Sequence, residues 1–174
     1  MFEMDGQLLS VVSVEHIKLA RAGAVIKTKL RNVLTGSIFD HSFRSGDKYK
    51  TVRIDKREAT YLYADGVHHH LMDTQTYDQV AVDEDMIEDV LPFLKEGSPA
   101  YLLRYEGKLI GVELPINVEL RVVDTDPGFK GDTVSGSTKP ARLETGAKIN
   151  VPLFIQPGDL IRVDTRTGTY MERA

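Results

Sequence analysis

The sequence predicts a mainly β chain of three consecutive small β units with one short helix, and three observations carry that expectation. Apolar and polar residues alternate in short stretches, as in Ile149, Val151 and Leu153 against Lys148, Asn150 and Pro152, the period of a half-buried strand. Turn pairs recur between the stretches, among them Asp65-Gly66, Glu106-Gly107 and Pro157-Gly158, as expected of short strands joined by tight connections. Helical spacing is confined to one place, where Met86, Ile87, Val90 and Leu91 follow Asp83.

In the first unit, residues 1–53, Leu8 to Lys18 and Ala24 to Leu34 read as two strands joined by residues 19–23. Ala24, Ile26, Thr28 and Leu30 lie opposite Val25, Lys27, Lys29 and Arg31, a hairpin with a basic face. Thr35-Gly36 and then Ser45, Gly46, Asp47 and Lys48 break the chain. The second unit, residues 54–117, opens with Thr60 to Tyr63, turns at Asp65-Gly66 and continues as Val67 to Met72. A helix from Glu84 to Leu91 is headed by Asp83 and stopped by Pro92, and Ala100 to Arg104 with Leu109 to Leu114 forms another hairpin. Five strands and one helix of this size suit an OB-type barrel. In the third unit, residues 118–174, Glu119 to Val123 is a strand and Gly131 to Thr138 an exposed loop. Leu160 to Val163 then opens a final hairpin ending at Tyr170 and Arg173. Barrels this small are individually marginal, so they are expected to pack partly on one another.

The chain has 174 residues, with 41% hydrophobic and 28% charged, the balance of a soluble globular protein. It has no cysteine, which excludes a disulfide framework, a thiolate zinc site and a cysteine nucleophile. No apolar run is long enough to span a bilayer, and Met1 to Gly6 lacks the basic start and apolar stretch of a secretory signal. A cytoplasmic protein is therefore expected. The net charge of −4 hides a partition. Residues 1–53 carry nine Lys or Arg against five Asp or Glu, residues 54–117 five against thirteen, and residues 118–174 eight of each. The basic head is the candidate for meeting phosphates.

Three runs give the chain a family resemblance. Lys139 and Ala141, then Gly146, then Ile149, Val151 and Pro152, and finally Ile155 and Gly158, with the preceding run Val123 to Thr133, resemble the C-terminal domain of bacterial elongation factor P. Lys27 to Gly36 and Thr60 to Gly66 are similar to the same family in the right order. The resemblance implies a KOW- or SH3-like first barrel and two OB-like barrels in an L-shaped outline like that of transfer RNA. It implies ribosome and peptidyl-tRNA as partners, promotion of peptide-bond formation at consecutive prolines, a monomer, and neither cofactor, metal nor catalytic residue of its own. At the hairpin tip the family places a Lys or Arg, often modified, and that position matches Arg21. Lys18, Lys27, Lys29 and Arg31 would supply phosphate contacts behind it.

The tip departs from the family's usual Lys-Pro-Gly-Lys/Arg-Gly, reading Lys18, Leu19, Ala20, Arg21 and Ala22. Alanine resists the positive φ that glycine adopts freely, so a different tip shape is expected. An arginine excludes lysylation and hypusination, which need a primary amine, and leaves arginine glycosylation by a modifying enzyme, or no modification, as the alternatives. The chain also begins about one strand late relative to the family, which implies an upstream start or a trimmed chain. Two further carry-overs are Gly131, Asp132 and Thr133, matching a loop that approaches the small subunit, and Tyr170 with Arg173, matching residues presented to the tRNA.

Other readings are weaker. His68, His69 and His70 alternate faces in a strand, so at most two could chelate one ion. No phosphate-binding loop, nucleophile elbow or zinc-protease helix is present. The carboxylates from Asp83 to Asp89 read as a solvated helix face. An elongation factor P-like paralogue is the first alternative, against which Asp124 to Thr133 speaks. A general single-strand nucleic-acid-binding OB protein would need a basic, aromatic-rich strand face, whereas the middle unit is acidic and the chain has no tryptophan.

Overall fold

In strands such as Asn117–Thr125, Lys148–Pro152 and Leu160–Asp164 the apolar member of each alternating pair turns inward and the polar member faces outward. The structure, a computed structural model, describes residues 1–19, 23–44, 46–126 and 138–174, without the side chains of residues 16–19, 23 and 24. The chain folds as two units, Met1–Asp55 and Lys56–Ala174.

In the first unit, β1 (Phe2–Met4) turns at Asp5 and Gly6 into β2 (Gln7–Leu19). Both turn residues have positive φ, 51° and 73°, the two-residue turn whose twist suits a hairpin. β3 (Gly23–Asn32), β4 (Ile38–Arg44) and the short β5 (Lys50–Thr51) complete a sheet in the order β4-β3-β2-β1-β5. Leu8, Leu9 and Leu30 are buried, and Phe2, Phe43 and Tyr49 pack edge-on or tilted with ring centroids 5.0 to 5.9 Å apart. The predicted β2–β3 hairpin is present. β1 and β5, which no expectation named, pair with each other and join the two ends of the unit.

The second unit holds two five-stranded sheets. β6 (Asp55–Ala64), β7 (His68–Asp73), β8 (Gln79–Asp83), β9 (Pro99–Tyr105) and β10 (Lys108–Glu113) stand in the order β10-β9-β6-β7-β8. The Glu106-Gly107 turn has φ of 49° and 81°, and Asp65 caps its own turn by accepting from the N–H groups of Val67 and His68 at 2.9 and 2.8 Å. The helix is shorter than expected. α1 spans Glu84–Ile87, and a separate 3-10 turn, Leu91–Phe93, follows. Glu84 with Glu88 and Asp85 with Asp89 are like charges at i,i+4, which disfavours a longer helix, and the Asp83 side chain makes no capping bond.

β11 (Asn117–Thr125), β12 (Thr138–Leu143), β13 (Lys148–Pro152), β14 (Leu160–Asp164) and β15 (Thr169–Arg173) form the third sheet, ordered β13-β12-β11-β14-β15. β12 was not anticipated as a strand. Its buried positions are Lys139, Ala141 and Leu143, and a lysine inside with a proline between disguises the alternation. The signature run is mostly interior: Lys139 is 5% exposed, Ala141 2%, Val151 and Ile155 0%, while Gly146 and Gly158 turn with φ of 89° and 95°. The Lys139 ammonium donates to the carbonyl of Asp126 at 2.8 Å.

The two barrels of the second unit share one apolar cluster, which runs from Ala59, Tyr61 and Leu71 through Phe93, Leu114 and Val118 to Ile161 and Val163. Polar contacts sew the same seam. Thr145 donates to the carbonyl of Pro92 at 2.6 Å, Lys95 pairs with Glu144 at 3.0 Å, and the N–H of Thr165 donates to the carbonyl of Ile116 at 2.9 Å.

Replacing Ile155 by Ala should destabilise the second unit by about 2–5 kcal/mol, read from urea unfolding, because a fully buried aliphatic leaves a cavity. Gly168→Ala tests the seam. Gly168 has φ +66°, and a Cβ there would sit 3.3 Å from Cζ of Phe93. A loss of about 1–2 kcal/mol is expected from backbone strain alone, and combining it with Phe93→Leu should give less than the sum of the two single losses.

Candidate nucleic-acid interface

β2 and β3 pair antiparallel from Leu9↔Asn32 to Leu19↔Gly23. Arg21 lies outside the described residues, as does the side chain of Lys18, whose backbone stands opposite Ala24 in β2. Further along β3 the alternation is explicit. Lys27 and Lys29 are exposed and Arg31 is half-buried, while Thr28 and Leu30 between them are buried. Thr28 can face inward because its hydroxyl donates to the carbonyl of His41 at 3.1 Å, which relieves the cost of burying a polar group. Asn32 ends the strand by accepting from the N–H groups of Leu34 and Thr35, both at 3.0 Å.

The face is less basic than β3 alone suggests. Lys27 stands between Glu15 of β2 and Ser42 of β4, and Lys29 between Ser13 of β2 and Asp40 of β4. These residues line one shallow depression of about 280 Å³. Two ammonium groups and two carboxylates alternate there with hydroxyls, so this part of the hairpin is formally neutral. Among the described residues, no ion pair within 4.0 Å joins Lys27 or Lys29 to either carboxylate. The cations of the second unit are held differently. Lys56 pairs with Glu113, Lys95 with Glu144, and Arg166 with Asp164.

Tyr170 and Arg173 are three residues apart, a spacing that would put them on opposite faces of a regular strand. A bulge at Met171 corrects this. Val163 pairs with Tyr170, Arg162 with Glu172 and Ile161 with Arg173, so both candidates share the side of Ile161 and Val163. Tyr170 is partly buried against the core and Arg173 is exposed. On the other side Arg162 is spoken for. It contacts Glu172 and donates to Glu119 at 3.0 Å, and the Glu119 hydrogen bond foremost, then the Glu172 charge, pushes its guanidinium above the usual range.

The turn that delivers β15 rests on Asp164. Its carboxylate accepts from the Arg166 guanidinium at 2.8 Å and from the Arg166 N–H at 2.9 Å, and those bonds hold it down at about 2.

Gly131, Asp132 and Thr133 lie outside the described residues. The three histidines divide as the strand period requires. His69 is buried with Nδ1 3.0 Å from the Tyr61 hydroxyl, His70 lies 2.7 Å from Asp65, and His68 lies 3.4 Å from Asp83. No group of three His, Asp or Glu among the described residues is arranged to hold a metal, and no described helix is long and apolar enough to cross a membrane. Glu15 and Asp40 are the residues that the sequence reading of this face missed. The only signal for them was the strand register, which a single sequence leaves open for β4.

Comparison with known proteins accounts for the whole chain. The family described as the elongation factor P (EF-P) KOW-like domain matches residues 1–49, the elongation factor P (EF-P) OB domain residues 54–112, and elongation factor P, C-terminal, residues 118–173. A KOW-like barrel followed by two such β-barrels, in this order, makes the protein a translation elongation factor. Elongation factor P of Moorella thermoacetica is 47% identical over 172 residues, covering 99% of this chain and 93% of that protein. The factor of the same name from Acetivibrio thermocellus matches equally, 47% over 172 residues with the same coverage. The chain belongs to the elongation factor P family. Among solved structures, a eukaryotic translation initiation factor 5A from Methanococcus jannaschii is similar with a TM-score of 0.44 and 20% identity, covering 64% of this chain and 85% of that one.

Asp164 generates a pH prediction. Its folded-state pKa lies below the ordinary carboxylate value, so its contribution is complete above about pH 4 and is lost as pH falls toward about 2. The thermal midpoint of Asp164→Asn should lie below that of the parent protein by a constant margin from pH 7 to about pH 4. The two curves should converge as pH drops further; parallel curves down to the acid limit would remove the carboxylate from this role.

Proposed function

We propose that the protein binds the ribosome beside peptidyl-tRNA and promotes peptide-bond formation at stalled sites such as consecutive prolines, by positioning rather than by its own chemistry. The observation that carries this reading is the match of three elongation factor P domains in order along one chain, with 47% identity to the Moorella thermoacetica factor. The domains proposed to do the work are residues 1–53, 54–117 and 118–174. In this reading Arg21 is presented toward the acceptor end of the tRNA from the end of the β2–β3 hairpin. Lys18, Lys27, Lys29 and Arg31 meet phosphates behind it, Gly131, Asp132 and Thr133 approach the small subunit, and Tyr170 with Arg173 meets the tRNA by stacking and charge.

The factor donates no acid, base or nucleophile and needs no cofactor; peptide-bond formation stays with the ribosome. Holding the acceptor end in an attack-competent pose removes several kcal/mol of barrier by restricting unproductive orientations alone. The protein acts as a cytoplasmic monomer, and Arg21 is the site at which a modifying enzyme would act.

A reconstituted translation system lacking this factor, programmed with a proline-run message, tests the reading. The protein should restore synthesis, and Arg21→Ala should reduce the rescue by about tenfold or more, the scale expected when about 1.4 kcal/mol of orientation is lost. Unchanged synthesis on addition of the protein would favour a paralogue acting on other stalled sequences. Equal rescue by Arg21→Ala would take the tip residue out of the mechanism.

A further inference from the structure

The charge pattern around Lys27 and Lys29 carries a role that the phosphate-contact reading does not include. An exposed strand whose lysines face phosphate is a general RNA binder, because backbone neutralisation is independent of sequence and structure. Here each lysine has a carboxylate directly across one ladder and a serine across the other, with the order reversed between the two levels: Glu15, Lys27, Ser42, then Ser13, Lys29, Asp40. All six are on one depression of about 280 Å³. Directly opposed residues of an antiparallel sheet place their Cβ atoms about 4.5–5.5 Å apart, well inside the screening length of about 8 Å at physiological ionic strength. A phosphate approaching either lysine is therefore repelled by its carboxylate unless its path lies on the serine side.

We infer that Glu15 and Asp40 are specificity-determining residues, which suppress indiscriminate RNA binding by the hairpin and admit phosphates only along the Ser42–Lys27 and Lys29–Ser13 sides. The ligand they select is a phosphodiester backbone of fixed geometry, as in a folded RNA, over a flexible single strand. This device rests on the proposed reading that Lys27 and Lys29 meet phosphates. It sets which RNA is bound, by introducing a repulsive element against the wrong partner.

The test compares the full chain with the pair Glu15→Gln and Asp40→Asn, and with the pair Lys27→Gln and Lys29→Gln. Binding to a fluorescent oligouridylate is titrated by anisotropy across a range of potassium chloride, and proline-run synthesis is measured with and without excess oligouridylate. Neutralising the carboxylates should tighten oligouridylate binding by about 1.4- to fivefold each, the range that exposed charge pairs span. It should steepen the salt dependence by up to about 0.7 per carboxylate, and make translation sensitive to the competitor. Exchanging the acids as Glu15→Asp with Asp40→Glu should keep discrimination, because each position still carries a carboxylate, which a role resting on either side chain's exact shape would not predict. If the lysine variants weaken binding while the carboxylate variants leave it unchanged, this inference is overturned and the phosphate reading stands. If neither pair alters oligouridylate binding or its salt dependence, the phosphate reading of the face fails, and the inference falls with it.

Discussion

The shared burial of apolar side chains between the two barrels of the second unit is the constraint on which the rest of that unit depends. A barrel of about 60 residues hides only about 60% of the surface its unfolded chain exposes, and neither sheet here has more than five strands. The cluster that begins at Ala59 and ends at Val163 resolves this by letting Phe93, Leu94, Leu114 and Val118 belong to one interior that both sheets enclose. Once the apolar seam is closed, short polar links become possible at its margin. Glu144 shows how: its carboxylate accepts from Lys95 of the middle barrel and from the N–H of Arg121 of its own barrel. Its pKa is set by opposed effects: burial raises it most, while the Arg121 N–H and Lys95 together lower it, with a net downward shift.

The first unit solves the same problem with less. Among the described residues its buried aliphatics are Leu8, Leu9 and Leu30, and beside them Phe2, Phe43 and Tyr49 form a ring cluster. Aromatic rings bury large areas for few ordered torsions, which suits a five-stranded sheet whose longest strands, β2 and β3, run on as a hairpin. Burial is uneven along β3, deep at Leu30 and partial at Val25 and Ile26. The strand pair is thus anchored by burial at the Leu9 and Leu30 end, and its ladder continues to Leu19↔Gly23.

How much of this was legible in the sequence depends on which rule governed each residue. Hairpins with plain turn chemistry, Asp65-Gly66 and Glu106-Gly107, were readable because Gly66 and Gly107 supply the positive φ their turns need. Asp5-Gly6 carries the same signal and went unread, since a strand as short as Phe2–Met4 shows too little alternation to stand out. β12 was hidden by Lys139, a cation in a core position whose ammonium is satisfied by its bond to the Asp126 carbonyl. Helix length was overestimated at Glu84 because apolar spacing was weighed above like-charge repulsion along the opposite face. Of the site, the exposed side of β3 was legible and its neighbours were not: the opposition of Asp40 to Lys29 is a property of strand register, which hydrophobic pattern and turn lengths set jointly.

The residues that carry the family signature and those proposed to carry the mechanism sit in different surroundings. Lys139, Ala141, Val151 and Ile155, the most diagnostic run, are interior residues, and Gly146 and Gly158 are turn residues with positive φ. The interior positions tolerate few substitutions because the barrel cannot repack around them without loss, so they report on the fold. Of the residues proposed to meet RNA, Lys27, Lys29 and Arg173 are exposed, where packing imposes little, and Arg31 and Tyr170 are half-buried. What constrains the exposed set instead is electrostatic. A factor of net charge −4 has no global attraction to a polyanion, so productive contact must come from local cations left unneutralised. Arg162 is committed to Glu119 and Glu172, and Arg166 to Asp164. Lys27 and Lys29 are opposed by carboxylates without being bonded to them, so a phosphate arriving from the serine side breaks no existing ion pair, while one arriving from the other side meets the repulsion of Glu15 or Asp40.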